Sequence, residues 1–405
     1  MFVNEHMGHL VPISGIGPTG VSWEHVAFVP APLPDQEPPL SGRAYRAVAQ
    51  ARADLAAMSA MAQQLPDPSL FRLPTLRREA QSTSELEGTF APLRDVLTAD
   101  GADQASPQLR EVLNYVAAAD HSFDWFSRGR GLTVGLLTDL QEILTKGTQA
   151  ESHSSGKIRD VQVVIGRSAA DTVQTARFVP SPPGIHLTAA VNALVDWFRD
   201  QHADIDPVVA CAMCHYQFET LHPFVDGNGR IGRLLVVLQL LSQQVLLEPT
   251  ISVSPWFESR RSEYYNHLLT VSNRGDWDSW VMFFATGLAE SARTTREQLV
   301  RLIGVQTDLG DAVRRSALRA GTAHALIDFA VANPTFTVKQ AAQHLGVGYG
   351  RANNLVGDLV DLGILAQLDA NSGYHRRFYA PALIDVLLTA GTESHESGSA
   401  GRPVS

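Results

Sequence analysis

A run of twelve residues, His222-Pro223-Phe224-Val225-Asp226-Gly227-Asn228-Gly229-Arg230-Ile231-Gly232-Arg233, gathers the residue types needed to bind a phosphate chain and move a proton beside it. Gly227 and Gly229 let the backbone turn sharply and aim successive N–H groups into one concavity. The apolar run from Leu234 to Leu238 predicts a helix. Its N-terminus adds partial positive charge and completes an anion cradle. Arg230 and Arg233 stand three residues apart, on adjoining positions of one helix face, and can reach two different phosphates through charge-assisted bonds. Asp226 beside the cradle suits Mg²⁺, which takes one or two carboxylates together with phosphate oxygens and water. His222 is the one nearby group that titrates near neutrality, and it can take a proton from an attacking hydroxyl. Helix capping alone, by Asp226 and Asn228, would require neither the second glycine nor the spaced arginines.

The elements that must position these residues are mostly helical. Apolar spacing predicts helices over 42–64, 76–86 (stopping at Gly88), 109–119, 134–144, 187–202, 208–220, 230–244 and 260–271. The first of them carries Ala44, Val48, Ala51, Leu55 and Met58 on one face. One stretch breaks the pattern: 161–166 reads as a strand and turn with 176–179 as its partner, a hairpin inserted in a helical domain. Residues 1–40, rich in Pro and Gly, read as an extended arm packed on a later domain. A second unit spans about 322–385, with helices at 323–332, 338–345 and 351–362. A strand at 364–366 then leads through Asn371-Ser372-Gly373 to Arg377-Phe378-Tyr379. Three helices and such a hairpin make a winged helix-turn-helix pattern.

Composition narrows the class. At 405 residues, two or three domains are expected; 44% hydrophobic and 18% charged residues fit a globular chain rather than a disordered one. The net charge of −10 means that a polyanion must be held by local donors, not by the global field. Two cysteines, Cys211 and Cys214, exclude a disulfide framework. Their C-x-x-C lies inside a helical pattern with no second pair, and reads as small core residues, with His215 and His121 structural. Gly15 to Gly20 matches G-x-G-x-x-G by letter, but no helix follows and Pro18 sits within it, so it reads as a turn. With no signal peptide or membrane span legible, the expectation is a cytoplasmic bacterial protein.

The stretch 222–233 resembles the Fic family signature, H-P-F-x-[D/E]-G-N-G-R-x-x-R, at every fixed position. The resemblance implies a protein adenylyltransferase that moves AMP from Mg·ATP to a Ser, Thr or Tyr hydroxyl of a target protein. His222 would be the base, Asp226 the metal ligand, and Gly227, Asn228, Gly229, Arg230 and Arg233 the phosphate site. The segment Val163, Val164, Ile165, Gly166 resembles the family's flap, and Tyr264 with Tyr265 its nucleotide-proximal helix. Thr83-Ser84-Glu85-Leu86-Glu87-Gly88 resembles the family's inhibitory pattern, in which Glu87 pairs with Arg233 and denies it to the γ-phosphate. On its own, Glu87 reads as a solvated glutamate whose loss changes fold stability little. Gly229, which is lysine in a kinase subfamily, favours adenylyl transfer. Removal of AMP by water stays open.

The implied fold is mainly α: a Fic helical core with an inserted β-hairpin flap, plus a C-terminal winged-helix domain. The parse is 1–105 for the arm and inhibitory helix, 106–300 for the catalytic domain, 301–388 for a linker helix and winged helix, and 389–405 for a disordered tail. In the winged unit Arg319, Lys339, Arg351, Arg376 and Arg377 are matched by Asp328, Asp358, Asp361, Asp369 and Asp385. Dimerisation or target recruitment is therefore favoured over DNA binding. The alternative, a DNA-binding regulator whose core senses nucleotide, stays open, as do self-modification and a homodimer. No membrane partner is expected.

Overall fold

The computed structural model describes the chain except for residues 1–4, 17–19, 64–70, 100–104, 167–170, 201, 317, 319–320, 369–375 and 390–405. Arg319, Asp369, Asn371-Ser372-Gly373, the Pro18 turn and all of the tail beyond Thr389 thus lie outside the described residues.

Two helices form the centre. α7 (Pro207–Leu221) starts at Asp206, whose side chain accepts from Val208 N–H at 2.8 Å, with Pro207 in the first turn. Its residues Val208 to Leu221 are all buried, so the helix is wrapped on every side. That explains Cys211 and Cys214, which are core residues whose thiols burial pushes up. α8 (Asn228–Ser242) is buried from Asn228 to Leu240 and packs against α7. Around this pair stand α4 (Pro107–Ser127), α5 (Val134–Thr145), α6 (Ile185–Arg199), α9 (Ser254–Ser259) and α10 (Arg261–Arg274). α1 (Gly42–Gln63) lies along α11 (Trp277–Arg315) and buries the face Ala44, Val48, Ala51, Leu55, Met58. α2 (Arg72–Leu86) packs on α4, α8 and α9 and shares their core, while the short α3 (Leu93–Thr98) follows it.

A second core gathers the C-terminal third: α12 (Gly321–Ala332), β3 (Phe336–Thr337), α13 (Val338–Leu345), α14 (Tyr349–Asp361), β4 (Ala366–Gln367), β5 (Arg377–Tyr379) and α15 (Pro381–Thr389). The sheet order is β3-β5-β4, antiparallel throughout. Thr337 and Gln340 form a reciprocal capping box at the start of α13.

One local expectation fails and another holds in reduced form. The 1–40 segment is no extended arm: Gly8–Ile16 (β1) and Ser22–Pro30 (β2) pair over their full length. β2 then joins the body, Phe28 N–H reaching Val179 O at 2.9 Å. The hairpin at 161–166 and 176–179 is reduced to one antiparallel bridge, with Ile165 and Phe178 exchanging bonds of 2.9 and 3.0 Å. The carbonyls that a longer ladder would use are engaged elsewhere. Val161 and Ser181 accept from Arg159, Pro180 from the Gln162 side chain, and Val179 from β2. The fold is mainly helical with this small hairpin, as expected.

Candidate active site

The chain reverses direction between α7 and α8, and that reversal is the site. His222 closes α7 in the left-handed region (φ 49°, ψ 61°), its N–H bonded to Phe218 O at 3.0 Å. A non-glycine residue there is uncommon, shared among the described residues only by Gln244. The loop beyond it is tied by Asn228: Oδ1 accepts from Phe224 N–H at 2.9 Å and Nδ2 donates to Phe224 O at 2.8 Å. The Asn228 side chain is thus a clamp, and only its backbone N–H is left to face an anion. Gly227 supplies the positive φ of 88° that starts α8.

Arg230 is buried, its Nη2 2.5 Å from Asp226 Oδ1 and its Nη1 3.7 Å from Glu111 Oε2. Its Nε and Nη1 find no hydrogen-bond acceptor among the described residues. Such donors carry a desolvation penalty that an incoming anion would relieve. They border a small polar recess shared with Glu87, Thr89, Glu111, His222, Asp226, Gly227 and Gly229. The Asp226 side chain is 45% exposed there.

Arg233 is fully buried, and its Nε and Nη2 are engaged. Nε donates to Thr83 Oγ1 at 2.7 Å, and Nη2 donates to Thr83 O at 3.1 Å and to Glu87 Oε1 at 2.6 Å. Thr83 and Glu87 are one turn apart on the end of α2, whose last turn closes through Gly88 at φ 91°. Burial works against the Glu87 carboxylate, but Arg233, then Arg230, outweighs it and draws its pKa below the usual range. Burial likewise opposes the Arg233 charge, and Glu87 reverses that effect. α2 is itself anchored: Glu79 accepts from Ser252 Oγ at 2.9 Å and from Ser254 N–H and Oγ at 2.9 and 2.5 Å. A Cβ on Gly229 would lie 2.0 Å from Glu87 Oε1, so only glycine admits this arrangement.

Beside the recess opens a cavity of about 260 Å³, bounded by Glu87, Gly229 and Arg233 at one end and by Leu268, Leu269 and Ser272 of α10 at the other. Val164, Ile165, Gly166, Tyr265 and His222 line it; Val163 and Tyr264 do not. Tyr264 faces the core instead, its hydroxyl 2.8 Å from His215 Nε2 while His215 Nδ1 bonds Gly232 O at 2.9 Å. Burial draws His215 down to about 3, so this histidine is a neutral strut. His222 is drawn down to about 4, first by burial and then by Arg159, against the Glu219 carbonyl and Glu87, and is a free base at neutral pH.

Three further residues belong to the site. Glu219, one turn before His222 on α7, lines the cavity; burial pushes its carboxyl up to about 8, and its Oε1 has no partner among the described residues. Its i, i+3 relation to His222 was the available signal. Arg177 and Phe178 line the opposite wall from within the partner segment, where spacing alone gave them no role.

Residues 45–124 match the Fic/DOC family N-terminal region, and residues 131–240 match the Fic/DOC family. Over 137 residues the chain is 34% identical to protein adenylyltransferase fic-1 of Caenorhabditis elegans, an alignment covering 34% of this chain and 23% of that protein. Over 154 residues it is 29% identical to protein adenylyltransferase Fic of Drosophila willistoni, covering 36% and 29%. The chain thus spans about a quarter of the length of the curated relatives it matches. Among solved structures, a Fic family protein from Desulfovibrio desulfuricans G20 superposes with a TM-score of 0.53 at 22% identity, covering 85% of this chain and 98% of that one. Helical fold, signature loop and both matched regions agree: residues 45–124 and 131–240 carry the N-terminal and central regions of the Fic/DOC family.

Proposed function

We propose that this protein transfers AMP from ATP to a Ser, Thr or Tyr hydroxyl of a target protein, and that Glu87 holds the reaction in check. The observation that carries the reading is Arg230, a buried guanidinium with two unanswered donors at the start of α8, beside an unprotonated His222. The start of α8, the loop N–H groups and Arg230 hold the phosphates. His222 takes the proton of the attacking hydroxyl as its oxygen bonds the α-phosphorus and the bond to the departing pyrophosphate breaks. The recess also fits Mg²⁺: Asp226 is a half-exposed carboxylate at the cradle, and one such ligand suffices for a cation carried on phosphate oxygens. Bound there, the ion would neutralise charge on the phosphates. Glu87 occupies the Arg233 Nη2 that a γ-phosphate would need, and one guanidinium edge cannot serve both.

The α12–β3–α13–α14–β4–β5 order supports a winged helix, which we assign to dimerisation or target recruitment. Arg376 bonds Asn353 of α14 at 2.7 Å, but Arg377 turns inward to Thr98 O at 3.0 Å, leaving little basic surface at the wing. Intact-protein mass spectrometry after incubation with Mg·ATP tests the reading, using the Glu87→Gly chain with and without candidate target proteins. Addition of one AMP unit to the chain or a target is expected. Addition of a lone phosphate, or ATP-dependent retention of DNA on a filter with no mass change, would replace this reading by a kinase or a regulator.

A further inference from the structure

Arg159 sits just before the flap, 2% exposed, and no carboxylate among the described residues answers it; burial alone draws its pKa down to about 10. A buried guanidinium without a counter-charge is costly unless its donors are answered. Here every nitrogen meets a backbone carbonyl. Nε donates to His222 O at 2.8 Å, Nη1 to Val161 O at 3.0 Å, and Nη2 to Ser181 O at 2.5 Å and Leu221 O at 3.4 Å. Its own N–H adds a bond to Pro223 O at 2.9 Å. Two of these carbonyls end α7 at the left-handed His222, one follows in the loop, and two flank the base of the flap. The planar fork matches that divergent set, whereas a lysine ammonium is a single point donor.

We propose that Arg159 is a positioning residue for the transfer reaction, holding the left-handed turn at His222 and the base of the flap as one rigid body. It touches neither phosphate nor acceptor. Its work is to keep the imidazole and the flap residues Val164 to Gly166 in a fixed relation across the cavity, where a shift of about 1 Å costs about 10²-fold in rate. The charges facing His222 agree with this: Arg159 on one side, Glu87 from α2 on the other, and the Glu219 carbonyl from its own helix.

The inference rests on the adenylyl-transfer reading, so it is tested with one arm inside that reading and one outside. In the Glu87→Gly background, Arg159→Met should lower kcat about 10²-fold with the KM for ATP little changed. Arg159→Lys should fall between, and it carries the same test if the methionine variant does not fold. A parallel loss in KM and kcat, or a kcat like that of the parent, overturns the proposal. Outside activity, histidine-selective NMR follows the His222 ring, assigned by its loss in His222→Gln. The ring should titrate near pH 4 in the parent and higher in Arg159→Met, which removes the charge that adds to burial in holding it down, while Arg159→Lys keeps that charge. An unchanged midpoint and shift in Arg159→Met overturn the proposal. If Glu87→Gly transfers nothing from ATP, the functional reading falls while the NMR arm still decides the role of Arg159.

Discussion

The α7–α8 reversal and the C-terminal unit treat positive charge in opposite ways. Around α8, Arg159, Arg230 and Arg233 are all below 5% exposed, one without any hydrogen-bond acceptor for two of its nitrogens. In the C-terminal unit Lys339 and Arg351 are exposed, and Arg376 and Arg377 are half-buried and bonded within the chain. Burying a guanidinium costs several kcal/mol unless it is answered. Where a fold carries three of them around one helix-to-helix reversal, the cost points to a ligand; where arginines stay at the surface, it points to solubility and docking. Buried charge is the better marker of chemistry than the amount of charge.

The sharpest way to break this contrast is at His222. His222→Ala should lower transfer about 10²–10⁴-fold with nucleotide affinity nearly intact, measured with labelled ATP. Retained turnover would remove the base from the buried cluster.

Next is Glu87→Gly, which should raise transfer about 10²-fold at saturating Mg·ATP, with Arg233→Ala inactive in either background. Against the small stability change expected for a surface-like carboxylate, Glu87 is the counter-charge of a fully buried Arg233 that would keep only its Thr83 bonds, and its loss should cost on the order of 3 kcal/mol. The variant should therefore melt lower than the parent without ligand and recover with Mg·ATP. Equal melting in both states would return Glu87 to an ordinary helix end.

Glu219 gives a smaller, pH-dependent effect. Its folded pKa near 8 lies above the unfolded 4.5, so its favourable contribution is fully present below pH 4.5 and is lost as the pH rises through 8. Glu219→Gln should melt with the parent at pH 5 and above it at pH 8. Parallel melting curves across that range would show the carboxyl to be ionised in the fold.

The smallest effect belongs to the other region. Arg377→Ala removes the bond to Thr98 O among its contacts and should cost roughly 1 kcal/mol or more in urea unfolding, with transfer in the Glu87→Gly background unchanged. Loss of DNA retention in that variant would instead show the C-terminal unit to be a charge-dependent binder.

Local patterns carried most of what the sequence reveals. The loop 222–233 is contiguous, so its chemistry is legible residue by residue, and single-faced helices such as α1 appear with their buried positions. Tyr264 and Tyr265 show the limit: neighbours on a helix point about 100° apart, and no local signal says which faces the cavity. The partnership of Glu87 with Arg233 bridges 146 positions and is visible only through family resemblance. Arg159 gives no sign at all, because its partners are carbonyls, which every residue has. β1 is masked by Pro12 and by apolar residues on both faces, of which Leu10 and Ile16 remain exposed.

α11 runs 39 residues, about 58 Å at 1.5 Å per residue. Its buried residues up to Ala292 serve the first core, those from Leu299 the second, and the buried polar pair Thr295 and Gln298 marks the seam. The two cores are therefore mounted on a common axle. Cutting the chain near residue 300 would leave most of each apolar stripe on its own side, but the second core also takes Phe71 and Leu97 from the first half, so neither half is freed as an intact domain. Heat should take the molecule apart in a single cooperative step, and whatever tightens one core delays the melting of the other.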